Sequence, residues 1–521
     1  MIQRSVAPMT YKVPERSGEV LITPPLDRIP ELLAEGRARP WAGARILGTP
    51  LEEFRLRLRH RALAIAGPRA RGTGPDPGAP LVLMGHQPLF FHPGVWVKFF
   101  LLTRLHQDLG ACTLHLLVDS DASGPIQAPI PAWTDQLTRR TETLLDLPDD
   151  VPLEAVAPPT GDTWGDFCAR VRGHLSTLRS AEPRRCFDAF AAGAADANGR
   201  ARTLGEFLAA ARRSYEARSM PPGYLEVAVS ALADTPEFGA FALHLLQDPA
   251  GFRGRYNASL EEYRSAHRLR SAANPFPNLN EDEGFDETPF WLVHGRRRAP
   301  LFAARSGDRI RLRSGGTPPV ELPAGPGGID ALAASGLHIR PKAITLTMFA
   351  RVCLGDLFIH GVGGGRYDRV TDTLITEVFG LPPPPYVVAT ATLWLPVADT
   401  GDGAEDGRAL ERRLMDLQHN PERYLAVPSP DQRRLIEEKW ALIRAVEEMR
   451  PGPERRATTH RIREVNGLLA QGLADEIART RARLAALDRS SAGQAAASFR
   501  EYPFFLFDPA QVGALVALRP A

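Results

Sequence analysis

Short apolar runs alternate along this chain with segments of helical periodicity. Residues 81–84 (Leu-Val-Leu-Met) are apolar without interruption and stop at Gly85, residues 95–109 carry apolar positions at helical spacing, and 113–118 is a second apolar run that stops at Asp119. A strand buried on both faces reads as an unbroken apolar run, and strand, helix, strand at this spacing is the βαβ unit of a parallel sheet. The pattern returns later, with a helix over 341–353, a strand over 357–359, a glycine-rich turn at 361–365, a helix over 367–379 and a strand over 386–395. The two stretches are expected to share one sheet, an α/β core over residues 80–396.

Between them, residues 125–330 read as material inserted into the core. Helices are expected near 164–178, 203–217 and 224–246, and the short runs 290–293, 301–303 and 310–312 suggest an antiparallel meander. Ahead of the core, residues 1–79 form a preface. In it Leu51, Phe54, Leu58 and Ile65 recur at helical spacing before a Gly/Pro-rich linker. Beyond residue 396 the chain turns charged, with Leu435, Leu442, Val446 and Met449, then Ile462, Val465, Leu469, Leu473, Ile477, Leu484 and Leu487 near heptad spacing. Two long helices broken at Pro451-Gly452-Pro453 would form a coiled-coil arm over 397–495. The tail, 496–521, carries Tyr502-Pro503-Phe504-Phe505-Leu506-Phe507 and is too apolar to be left in water, so it is expected to pack back on the core.

Composition narrows the function classes. A chain of 521 residues exceeds one ordinary core and suggests three structural units. Its 63 Lys and Arg nearly balance 61 Asp and Glu, so net charge does not call for a nucleic-acid partner. The excess of Arg over Lys reads as codon bias, and Arg296-Arg297-Arg298 as a solvated hairpin tip. Cys112, Cys168, Cys186 and Cys353 lie far apart without metal-ligand spacing, so neither a disulfide framework nor a zinc site is expected. Residues 1–21 lack the apolar core of a signal peptide, and no later stretch is apolar for the length of a membrane span, so a cytoplasmic location is expected.

Candidate chemistry collects at strand ends, because ligands of parallel sheets sit outside the carboxyl ends of the strands and the next helix offers unpaired N–H groups to anions. Gly85-His86-Gln87-Pro88 to Lys98 occupies such a position. Gly85 and Gly94 would admit a ligand close to the backbone, His86, Gln87 and His92 supply hydrogen bonds, and Lys98 lies about one turn into the helix. Asp119-Ser120-Asp121 ends the next strand, where paired carboxylates can hold a metal–nucleotide complex or orient an amine or hydroxyl; capping the next segment is the plainer alternative. The run Gly361 to Asp368 follows a strand and opens a helix, so Gly363 and Gly364 would cradle an anion while His360, Arg366 and Asp368 add charge or hydrogen bonds. It is neither a Walker A motif nor a strict G-x-G-x-x-G. Arg340 and Lys342, at the start of the preceding helix, are candidates for an acidic substrate group. A nucleophile elbow and an H-E-x-x-H are both absent from the sequence, which disfavours acyl-enzyme and zincin hydrolysis.

With these elements in order the chain resembles the bacillithiol-biosynthesis cysteine-adding enzymes, the BshC family. The resemblance rests on Gly85-His86-Gln87 with Pro93-Gly94 and Lys98, on Asp119-Ser120-Asp121, and on Arg340-Pro341 with residues 359–368. His86 and Ser120 stand where that family has Gln and His, so its substrates are not carried over. What the resemblance implies is a Rossmann-like, nucleotidyltransferase-like core, inserted segments, a coiled-coil arm that dimerises, and ligation of an amine-bearing molecule such as an amino acid to a small acceptor. On that reading Asp119, Asp121 and His86 are catalytic and the other named residues bind substrate or nucleotide. Two alternatives stand beside it. One is a transferase using a nucleotide or nucleotide-sugar with a divalent metal on Asp-x-Asp; the other is a non-catalytic coiled-coil scaffold with a vestigial pocket.

Overall fold

The computed structural model describes residues 11–39, 41, 43–67, 76–134, 136–269, 271, 274–315, 318–397, 403–488 and 491–517. Six strands form one sheet in the order Val20–Thr23, Tyr386–Ala391, Leu357–His360, Leu81–His86, Cys112–Leu117, Leu225–Ala228. Only the first pair is antiparallel; the other neighbours run parallel. The protein is therefore mixed α/β around a mostly parallel sheet, and its two separated α/β stretches meet where Leu357 lies opposite Val82 and Ile359 opposite Met84.

The apolar runs are unbroken because both faces of these strands are covered. Val82, Met84 and Ile359 join one core with Trp96 and Phe99 of the helix Pro93–Leu109. Leu83, Leu114 and Phe358 point the other way, into a core with Phe54 and Leu58 of the helix Leu51–Ala66 and with Val370 and Leu374 of the helix Val362–Phe379. Arginines of the preface anchor the second face: Arg55 donates to Asp356 at 2.9 Å, Arg59 binds the same carboxylate, and Leu81 N–H donates to its other oxygen at 2.9 Å.

The sequence expectation and the structure differ at several elements. The helix expected over 224–246 begins as the strand Leu225–Ala228, followed by helices Val229–Ala233 and Pro236–Leu245. Leu225 and Val227 are buried at the sheet edge, where pairing with Cys112–Leu117 outweighs helical propensity. The expected insertion thus contains a core strand, and the preface supplies another, Val20–Thr23. The segment read as a helix over 341–353 starts as the strand His338–Pro341, continues as the helix Ala343–Phe349 and ends in a π turn, Ala350–Leu354. Arg340 accordingly lies on a strand, paired opposite Trp291. Gly363 to Gly365 form the first turn of the helix Val362–Phe379 rather than a turn before it. The hairpin Ile126–Trp133 with Leu137–Leu145 was not expected.

The meander is present as an antiparallel sheet in the order Val320–Pro323, Arg309–Arg313, Arg297–Ser306, Phe285–His294, His338–Pro341. In the charged C-terminal region the helices Pro430–Glu448 and Pro453–Gln471 pack together, as do Gly403–His419 and Ala474–Asp488. The second long helix is interrupted at Gly472, where an added Cβ would sit 2.7 Å from the Gln432 amide nitrogen. The aromatic tail is buried: Phe505 stacks on Phe190 at 5.0 Å, and Phe504 N–H donates to Phe91 C=O at 2.8 Å. Among the described residues no helix is long and apolar enough to cross a membrane.

Candidate functional site

From the strand Leu81–His86 the chain moves outward to Cys112–Leu117 and Leu225–Ala228, then returns to place Leu357–His360 on the opposite side of the starting strand. The direction of winding reverses between these two neighbours, and the helices that follow them, Pro93–Leu109 and Val362–Phe379, lie on opposite faces of the sheet, which leaves a crevice at the strands' carboxyl ends. Its volume is about 270 Å³. Gly85, His86 and Gln87 line it from the first strand end and Ser120 and Asp121 from the second; His360, Gly364 and Asp368 come from beyond the switch, and Trp291 and Arg298 form a wall from the meander.

Asp121 is the hub of one side. Its Oδ2 accepts from Gln87 Nε2 at 2.8 Å, and its Oδ1 accepts from Arg298 and, at 3.0 Å, from Ala122 N–H. Arg298 in turn lies over the Trp291 ring, 4.6 Å from its centroid. Lys342 Nζ is 4.8 Å from the same ring and donates to Glu287 at 2.6 Å. Arg298 is thus a site residue that the reading as a solvated hairpin tip missed. Its partner lies 177 positions earlier, and only the diagonal contact with Trp291 across the hairpin hints at its placement.

On the other side His360 Nε2 lies 2.8 Å from Asp368 Oδ2, which also accepts from Arg351 at 2.6 Å. Arg351 projects from the π turn and pairs at 2.7 Å with Asp372. The guanidinium and the imidazole hold the Asp368 carboxyl below its usual range even though burial opposes it.

Other residues singled out in the sequence serve the fold around the crevice. Asp119 does not line it: the carboxylate accepts from Ser230 N–H at 2.9 Å and from the Ser230 hydroxyl, tying the second strand to the helix that follows the edge strand. Burial pushes this carboxyl up to about 6, with the two Ser230 hydrogen bonds opposing. His92 caps the helix Pro93–Leu109 by accepting from Gly94 N–H at 3.0 Å, and Gly94 itself packs against Ala391 C=O, where a Cβ would come within 2.6 Å. Arg340 is closed into Glu154 at 2.8 Å and Asp234 at 2.7 Å. Arg366 donates to Tyr11 C=O at 3.0 Å, and a Cβ added at Gly363 would meet nothing within 4 Å. His86 Nδ1 is 2.9 Å from Gln87 C=O, and burial followed by the charge of Lys98 keeps its ring neutral.

Lys98 is buried at 2 % exposure, makes no hydrogen bond or ion pair among the described residues, and lies beside the N-terminus of the helix Val362–Phe379, 3.9 Å from where a Gly361 Cβ would stand. Burial pushes its ammonium down to about 8. Among the described residues no group of three or more His, Cys, Asp or Glu is placed to hold a metal ion, and the two carboxylates of Asp119-Ser120-Asp121 turn to different partners.

The arrangement can orient a polar small molecule between a carboxylate already engaged by three donors and an imidazole backed by another carboxylate. In comparison with known proteins, the chain matches no protein-family model and no curated protein sequence.

Proposed function

We propose that this protein is a ligase or transferase that joins an amine-bearing small molecule to a small acceptor in the crevice at the strand ends. The observation that carries the proposal is the convergence of Asp121 and the His360–Asp368 pair at the switch between Leu81–His86 and Leu357–His360. A carboxylate has about four acceptor positions, and Asp121 uses three on Gln87, Arg298 and Ala122, leaving one for an ammonium or hydroxyl donor. The strand order supports a Rossmann-like, doubly wound reading. Together with the three sequence patches it also supports the resemblance to the cysteine-adding enzymes, which makes cysteine the first amine to test. The divergence of Asp119 from Asp121 counts against a metal clamp on Asp-x-Asp.

The same reading assigns homodimerisation to the C-terminal helices as a coiled-coil arm, where Trp440 and Leu468 are partly exposed large apolar side chains. Deleting residues 431–488 and measuring mass by light scattering tests this apart from catalysis; an unchanged mass removes the arm from assembly.

A ligand that binds only the folded chain raises its melting temperature by mass action. A thermal-shift screen of amino acids, amino-sugar conjugates and nucleotides against the wild type and His360→Gln is expected to give an amine-dependent rise that the variant diminishes. A screen in which no amine stabilises the wild type overturns the proposal.

A further inference from the structure

We infer that His360 is the proton acceptor for the amine in this crevice, with Asp368 as its positioning residue and Gly364 as the clearance that keeps the accepting nitrogen open. The inference rests on the ligase or transferase reading. His360 closes the strand Leu357–His360, and its ring is fixed by Phe358 at 4.5 Å and by the edge-on ring of Tyr386 at 5.3 Å. Nε2 faces Asp368 Oδ2, the same oxygen that receives Arg351. A carboxylate paired with a guanidinium stays ionised and accepts only, so Nε2 carries the hydrogen and Nδ1 is left as the acceptor. Among the described residues Nδ1 has no hydrogen-bond partner.

Gly364 decides whether Nδ1 can be reached. A Cβ built there would stand 2.7 Å from it, closer than such contacts occur, and His360 and Gly364 both line the crevice. The glycine run at the start of this helix thus has a use other than cradling an anion: Gly364 clears the imidazole, and Gly365 clears Val388, 2.3 Å from its would-be Cβ. The competing bases are less suited. His86 donates Nδ1–H to Gln87 C=O, but among the described residues no carboxylate is hydrogen-bonded to its ring, and burial followed by the charge of Lys98 disfavours its imidazolium; Asp121 is held by Arg298. In the step itself an N–H bond of the substrate ammonium breaks, its electron pair stays on the substrate nitrogen, and the proton forms Nδ1–H; the imidazolium is stabilised by ionised Asp368.

The test has two arms on the full chain. Nitrogen-15 NMR of labelled histidines, with His360 assigned by His360→Gln, is expected to show the Nε2–H tautomer, and Asp368→Asn is expected to abolish that preference. A proton on Nδ1, or indifference to Asp368→Asn, overturns the inference. For the amine that the thermal-shift screen selects, with cysteine as first probe, His360→Gln should lower kcat by about 10²–10⁴-fold with KM within about threefold. Gly364→Ala should lower kcat in the same way while melting near the wild type, and full kcat in that variant also overturns the inference. Absence of turnover with every amine, alongside the expected tautomer, instead overturns the enzyme reading and with it the base role, leaving the dyad as a structural pair.

Discussion

Gln87 donates to Asp121 across 2.8 Å, tying the ends of two neighbouring parallel strands at the mouth of the crevice. Asp121→Asn keeps the shape but removes the charge that holds Arg298. The side chain is 33 % exposed, so folding stability should change by less than about 1 kcal/mol, whereas the ligand-induced thermal shift should be lost. A variant that melts normally and still responds fully to ligand removes Asp121 from the site.

Asp119, two residues earlier, should behave in the opposite way. Asp119→Ala strands the Ser230 N–H and hydroxyl and is expected to cost about 1–3 kcal/mol. The pH dependence has a definite sign. With the folded carboxyl at about 6, above the ordinary 3.8, the folded chain holds this proton more tightly than the unfolded one. The resulting stability is complete below pH 3.8 and is lost as pH rises through 6. Denaturant unfolding of the wild type and Asp119→Asn from pH 3.5 to 7 should therefore show the wild type losing ground to the variant. A pH-independent difference contradicts the assignment.

Lys98 carries the clearest conflict between stability and use. Its folded ammonium sits at about 8 against an ordinary 10.5, so the unfolded chain binds the proton more tightly, and burial costs stability in full below pH 8 and not at all above 10.5. Lys98→Met should stabilise the protein at pH 7 by about 3 kcal/mol, and the gain should vanish near pH 10.5. If the amine binds an anionic group at the neighbouring helix N-terminus, the same variant loses its response to anionic ligands. Urea unfolding at the two pH values checks the first statement and the thermal-shift screen the second.

Arg340 belongs to the scaffold. Replacing it with Ala leaves the partly buried Glu154 carboxylate without its partner, a loss of about 1–3 kcal/mol. Calorimetric ligand affinity, measured at a temperature where the variant is folded, should match the wild type; a tenfold loss would return Arg340 to the site.

Apolar runs by themselves determine much of this protein. A strand covered on both faces is mostly apolar and admits a polar side chain only where a partner meets it, as Gly223 C=O meets Thr113 and Glu226 meets His115, so 81–84, 113–118 and 357–359 are legible as core strands, and the residues that stop them mark the sheet's carboxyl edge. Edge strands lack that constraint. Val20–Thr23 and Leu225–Ala228 exist because a neighbour offers an unpaired backbone edge, which local sequence does not record. The site divides in the same way. His86, Gln87, Asp121 and His360 are visible as polar groups just after apolar runs, but identity and spacing cannot separate Asp119 from Asp121: the strand ends at Leu117, and in the irregular segment beyond it one side chain turns to Ser230 and the other to the crevice. Arg298 reaches Asp121 from 177 positions away, and Gly364 matters through a 2.7 Å clearance to an imidazole. Both are distances between segments that only folding brings together, and for that reason the tertiary structure decided them.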